Sequence, residues 1–143
     1  MTRRRKIGDV YAIPLPDGTF AFGRMIEKPS VAFYKHRGQN INDLPASEEY
    51  EFTVCCYNDC FKEWIFVENR PFSNENESKS PPYQLKDAFT GEYRISQRGN
   101  IRPASEDECE GLEVCAIWAH SHLVKRLTGD MLWKKYFPGF YEE

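Results

Sequence analysis

The residues Leu15-Pro16-Asp17-Gly18 constrain this chain more than any others, because they fix a reversal of direction between two extended segments. Proline in second place presets φ, aspartate in third caps the backbone with its own side chain, and glycine in fourth takes φ > 0 without steric penalty. After the turn, Phe20, Phe22 and Ile26 fall on one face, and Thr19, Ala21, Gly23 and Glu27 on the other. That period of two predicts a half-buried strand, so residues 9–27 read as a β-hairpin. Val31-Ala32-Phe33-Tyr34, set off by Pro29, adds a third antiparallel strand.

Residues 35–47 hold glycine, asparagine and proline with almost no periodic apolar pattern, which predicts a long surface loop. Tyr50, Phe52, Val54 and Cys56 alternate with Glu51, Thr53, Cys55 and Tyr57, giving a strand with one apolar face before a turn at Asn58-Asp59. Trp64-Ile65-Phe66-Val67 is a continuous apolar run between Glu63 and Glu68, as expected of a strand covered on both sides. Residues 73–82 contain no hydrophobe to offset their ordering entropy and predict a mobile loop. Residues 83–89 and 93–97 read as a second hairpin around Thr90-Gly91, and Leu112, Val114, Ala116 and Trp118 as a late strand.

From Ser121 the period changes. Leu123, Val124 and Leu127 share a helical face, Ser121 is placed to cap the N-terminus, Lys125 and Arg126 suit the last turn, and Gly129 the exit. Asp130 caps a second short helix whose Trp133, Tyr136 and Phe137 pack inward, ended by Pro138-Gly139. Strands first and helices last imply an α+β domain, β-rich, with a mostly antiparallel twisted sheet or partly open barrel and short C-terminal helices.

At 143 residues the chain reads as one domain, 1–143, of a size that buries about 68–70% of its unfolded surface without staples. Aromatic residues make up 15% of it, more than a helical bundle needs and suited to well-filled strand faces. The five cysteines are odd in number, with Cys55, Cys56 and Cys60 crowded together, which fits reduced thiols in the cytoplasm better than a secreted disulfide framework. A basic tail covers residues 1–6, but Gly8, Asp9, Pro14, Pro16 and Asp17 follow where a secretion signal would be apolar. No run approaches the roughly 18 apolar residues of a membrane helix, so no membrane partner is expected. Nucleic acid is not the expected partner either, because the net charge is −3 and no basic stripe follows the tail.

Residues that carry chemistry are few. His120 and His122 form a His-x-His that on a strand would aim both rings to one side, where two could bind a metal; at a strand-to-helix junction they are ordinary turn and cap residues. Cys55 and Cys56 would point to opposite strand faces, and Cys109 lies among Glu106, Asp107, Glu108 and Glu110, whose field opposes thiolate formation. There is no Gly-x-Ser-x-Gly elbow, phosphate loop or dinucleotide fingerprint.

Gly8-Asp9-Val10-Tyr11-Ala12-Ile13-Pro14-Leu15, then Asp17-Gly18, Phe20-Ala21-Phe22-Gly23-Arg24 and the Val31–Tyr34 strand resemble the opening of the immunity protein 26 family. Farther on, the tryptophan-bearing strand at Trp64 and the Arg70-Pro71 pair continue the likeness. The resemblance implies a cytoplasmic bacterial protein that binds and neutralises the cognate toxin of a polymorphic toxin system, without catalysis and without a cofactor. It also brings a rival, a metal-assisted hydrolase of the phosphotriesterase type that would use His120 and His122. On the first reading the candidate toxin-binding residues are Glu48, Glu49, Tyr50 and Glu51, and Glu106, Asp107, Glu108 and Glu110. Carboxylates would steer the chain toward a basic cleft, and Tyr50 would supply an anchor beside them.

Overall fold

Asp9–Pro14 (β1) and Phe20–Met25 (β2) pair antiparallel from Pro14 opposite Phe20 to Val10 opposite Arg24, joined by the turn the sequence dictates. The Gly18 amide donates to the Leu15 carbonyl at 3.0 Å, and the Thr19 amide and hydroxyl both donate to Asp17 Oδ1 at 2.9 and 2.5 Å. Gly18 takes φ +86°, a value that strains any residue with a Cβ. The computed structural model describes residues 4–137, Tyr136 by its backbone alone. The end of the second helix at Pro138-Gly139, the inward packing of Tyr136 and the first three residues of the tail thus lie outside the described residues.

The remaining elements are, in chain order, β3 (Ser30–Tyr34), β4 (Tyr50–Cys56), α1 (Cys60–Glu63), β5 (Ile65–Asn69), β6 (Tyr83–Lys86), β7 (Tyr93–Gln97), β8 (Asn100–Ala104), α2 (Glu106–Cys109), β9 (Ile117–Trp118) and α3 (His120–Leu127). Two 3₁₀ turns, Glu75–Ser78 and Leu132–Tyr136, complete the set. They form a six-stranded sheet in the order β5-β1-β2-β3-β4-β9 and a three-stranded sheet in the order β6-β7-β8. Every pairing is antiparallel except that of β4 with β9. The larger sheet has two ends, so it is open and not a barrel. Among the described residues, no helix is long and apolar enough to cross a membrane.

The centre of the larger sheet, β1 to β3, is buried on both faces, which corrects the half-buried reading of its second strand. Ala21 and Met25 face the main core with Ile13, Phe33, Trp64 and Trp118, whereas Phe22 faces a second cluster with Val10, Ala12 and Tyr34. Ile26 lies beyond the end of β2, also buried. The main core is closed by Leu123 and Leu127 of α3 and by Trp133. The second cluster is covered by residues 35–47, expected to be a surface loop: Ile41 and Leu44 pack against it, and Gly38 bridges back to Phe20. A loop with few, spaced hydrophobes covers a sheet face because that face presents the large, fully buried rings of Phe22 and Tyr34.

Three further expectations need correction. β5 is an edge strand, with Ile65 40% and Phe66 37% exposed, so its apolar run does not mark burial on both sides. The alternation from Leu112 to Trp118 yields strand only at Ile117–Trp118. Before that, the chain passes along β6, where Gln84 N donates to Glu113 O at 2.9 Å and Cys115 N donates to Gln84 O at 2.8 Å. One extended segment therefore ties the small sheet to the large one. Finally, α3 begins after Ala119 with no side-chain cap, which leaves Ser121 inside the first turn. At its other end Thr128 N and Asp130 N return to Val124 O and Lys125 O, and Asp130 Oδ1 accepts from Leu132 N to start the 3₁₀ turn.

The second hairpin forms as expected, Lys86 opposite Tyr93, and β8 extends it through a tight turn at Arg98-Gly99. Residues 73–82 are tied to the large sheet by polar contacts. Ser78 O accepts from Glu27 N at 2.8 Å, and Ser80 Oγ donates to Glu27 O and to Ser30 Oγ, each at 2.9 Å.

Candidate functional site

The first acidic run does not present itself as one surface, and a β-bulge is the reason. Phe33 faces Phe52 and Tyr34 faces Tyr50, so Glu51 is the extra residue and Tyr50 turns to the opposite face from Phe52. There Tyr50 lies 5.0 Å from the Tyr34 ring and its hydroxyl accepts from Arg24 Nη1 at 2.9 Å. Arg24 is 5% exposed, and a buried guanidinium is tolerated only when its donors are met. Nε donates to Arg70 O at 3.0 Å, Nη2 donates to Arg70 O and to Pro71 O, and Phe72 stacks 3.5 Å from the guanidinium carbon. Glu48 completes this brace, accepting from Tyr34 OH at 2.6 Å and from Arg70 Nη1 at 2.9 Å, with Arg24 Nη1 at 3.7 Å. Burial and the bond to Glu48 hold the Tyr34 phenol above its ordinary range.

Glu51 takes the other side. It accepts from Arg37 Nη2 at 2.8 Å, and the same nitrogen donates to Leu127 O, the last carbonyl of α3, at 3.0 Å. Glu49 is exposed and makes no ion pair among the described residues. Of the four residues in this run, Glu48 and Tyr50 thus brace a buried arginine, Glu51 holds a helix end, and Glu49 faces solvent.

The second run begins with a capping box. Ser105 Oγ accepts from Glu108 N, and Glu108 Oε1 accepts from Ser105 N, both at 3.1 Å, which starts α2. Glu108 also accepts from Arg102 Nη1 at 3.0 Å; the Ser105 amide and then Arg102 keep its carboxyl below the usual range. Cys109 is 1% exposed, and burial followed by the Glu108 charge pushes its thiol up, which disfavours the thiolate. Glu106, Asp107 and Glu110 are exposed and without ion pairs among the described residues. With Gln84, Tyr93 and Gly111 they line a hollow of about 350 Å³.

Gln84 and Gly111 also line an adjoining hollow of about 430 Å³, whose walls include Glu51, Phe52, Glu113, Arg126, Met131 and Trp133. The fold therefore brings Glu51 and the α2 carboxylates to one concave flank, and leaves Glu48 and Tyr50 in the brace. At its centre Arg126 donates to both oxygens of Glu113 at 2.8 Å, with Phe52, Trp133 and Trp118 rings 3.8, 4.4 and 5.1 Å from its guanidinium carbon. Sequence reading missed Arg24, Arg126 and Gln84, because each acts through partners distant in the chain.

The histidines do not converge. His120 and His122 occupy the first turn of α3, where residues two apart point to different sides of the helix. His120 Nδ1 accepts from Trp64 Nε1 at 3.1 Å, while His122 lines an apolar groove with Ile117, Trp118 and Phe137. Among the described residues no three of His, Cys, Asp and Glu are grouped to hold a metal ion. Cys56 and Cys60 lie in the main core, and Cys55 points away from them toward the junction of the two sheets. A hollow of about 420 Å³ opens at that junction, where Ser30, Ser80 and the Tyr83 phenol form a hydroxyl chain with bonds of 2.7 and 2.9 Å.

Two open sheets with few, short helices define the class: a β-rich α+β fold. The chain belongs to the immunity protein 26 family, whose model matches residues 6–95, from the strand before the first turn into β7. By family it is an immunity protein. No curated protein and no solved structure matches it. The α2 carboxylates, β9 and α3 follow the matched span.

Proposed function

We propose that this chain is a cytoplasmic immunity protein that binds one cognate toxin domain of a bacterial polymorphic toxin system and blocks it without transforming it. Membership of the immunity protein 26 family carries this reading. The concave flank supports it: Glu106, Asp107 and Glu110 surround a hollow, beside Glu51, Glu108 and the aromatic wall of Phe52 and Trp133. The charge of Glu106, Asp107 and Glu110, which unlike Glu51 and Glu108 make no ion pair among the described residues, speeds encounter with a basic cleft, and aromatic neighbours add apolar contact once docked. Glu49 is exposed just before β4, while Glu48 and Tyr50 contribute by bracing the β3–β4 pair that carries Glu51.

Co-expression tests this directly. A toxin domain encoded beside this chain's gene is expected to arrest growth when expressed alone, growth is expected to recover when the chain is expressed with it, and the two are expected to co-elute as one species. Continued arrest with both proteins soluble would sink the proposal.

A further inference from the structure

The hairpin joining β6 to β7 ends in a phenylalanine that the fold does not use. Phe89 is 99% exposed, whereas the next most exposed phenylalanine among the described residues, Phe66, is 37% exposed. Single apolar side chains on a surface are ordinary. This one differs in how it is held. Asp87 Oδ1 accepts from Phe89 N at 2.8 Å and from Thr90 N at 2.9 Å; Asp87 N donates to Glu92 O, and Gly91 N to Asp87 O, each at 2.9 Å. Thr90 Oγ1 accepts from Glu92 N at 3.2 Å. Those two backbone amides, that of Thr90 first, hold the Asp87 carboxyl below its usual range. Asp87, Thr90 and Gly91 supply all of the turn's chemistry, and nothing in it requires an aromatic residue at 89.

We propose that Phe89 is the anchor through which this chain docks on its toxin domain, inserting into an apolar pocket of that domain rimmed by basic side chains. The inference rests on the function proposed above. With only two side-chain torsions to fix, on a turn whose backbone is already hydrogen-bonded, an aromatic knob loses little conformational entropy on binding, and buried aromatic anchors carry most of the energy of interfaces of this kind. The charge of the pocket's rim follows from what surrounds the knob. Asp87 and Glu92 flank it but are balanced by Lys86 and Arg94, so the sign comes from the hollow beside the hairpin, which Tyr93, the first residue of β7, lines with Glu106, Asp107 and Glu110. Tyr93 pairs with Lys86 at the turn end of the hairpin, so the knob and the hollow walled by α2 lie side by side.

The test measures binding of a catalytically inactivated form of the toxin domain encoded beside this chain's gene, by calorimetry, to the natural chain, F89A and I65A. Ile65 is a control on the edge strand of the other sheet. Because Phe89 touches so little, F89A is expected to melt with the natural chain. Its Kd is expected to rise by about 30-fold or more, the loss typical of an interface hot spot, with I65A within about threefold of the natural chain. A smaller rise for F89A, with the natural chain binding tightly, overturns the anchor and leaves the immunity reading standing. No binding by the natural chain overturns both.

Discussion

Reversing Glu106, Asp107 and Glu110 together to lysine is expected to weaken binding of the toxin domain by about 100-fold at low ionic strength, chiefly through a slower association rate. The three carboxylates are exposed, line one hollow, and make no ion pair among the described residues. The folded state therefore loses no salt bridge when they change, and the cap of α2 survives because Ser105 and Glu108 make it. The defect should shrink as salt rises, since the Debye length falls from about 30 Å at 0.01 M to about 8 Å at physiological strength. Stopped-flow association at several salt concentrations checks this. Rates that match the natural chain at every salt concentration would remove the acidic hollow from the interface.

Arg126→Ala is expected to destabilise the chain by about 3 kcal/mol, the largest loss from a single surface-reaching side chain. Its side chain is 11% exposed and its partner Glu113 22%, so the bidentate pair is only partly screened. Truncation also removes the cation from between Phe52 and Trp133 and opens the seam between β4 and the C-terminal helical turns. For a domain of this size, roughly 3 °C of melting temperature accompanies each kcal/mol, so Tm should fall by about 10 °C. Arg126→Lys should recover less than half of that, because an ammonium cannot keep two parallel bonds to Glu113 while stacking on rings. A change in Tm below 2 °C by calorimetry would show that the arginine is ornamental to the fold.

What the sequence revealed follows from how local each determinant is. The first hairpin was legible because Leu15-Pro16-Asp17-Gly18 encodes its own geometry, and the strand at Tyr50–Cys56 because alternation there reflects a core on one side. The bulge at Glu51 was not legible, since it depends on the pairing of β4 with β3 and turns Tyr50 over without any change in local pattern. β8 escaped because Asn100–Ala104 contains Pro103 and is almost wholly exposed, and an edge strand needs neither alternation nor a donor at every position. Leu112–Trp118 misled for the converse reason: it alternates because it is extended between two sheets, bridging to β6 at Val114 and forming regular strand over only two residues. At the candidate site the α2 carboxylates were visible as a run, but not that Glu108 is committed to a cap and an arginine. The brace around Arg24 required knowing that Tyr34, Glu48, Tyr50 and Arg70 meet.

The central claim is that the chain acts by occupying its partner and is not consumed or regenerated in doing so. Titrating the active toxin domain with increasing amounts of this chain tests it most directly. Inhibition should be complete at one chain per toxin, should not deepen with time, and should reverse when the two are separated by denaturation and refolding. Lasting inactivation at a small fraction of one equivalent, accompanied by turnover of a chromogenic phosphotriester by the chain alone, would contradict the account.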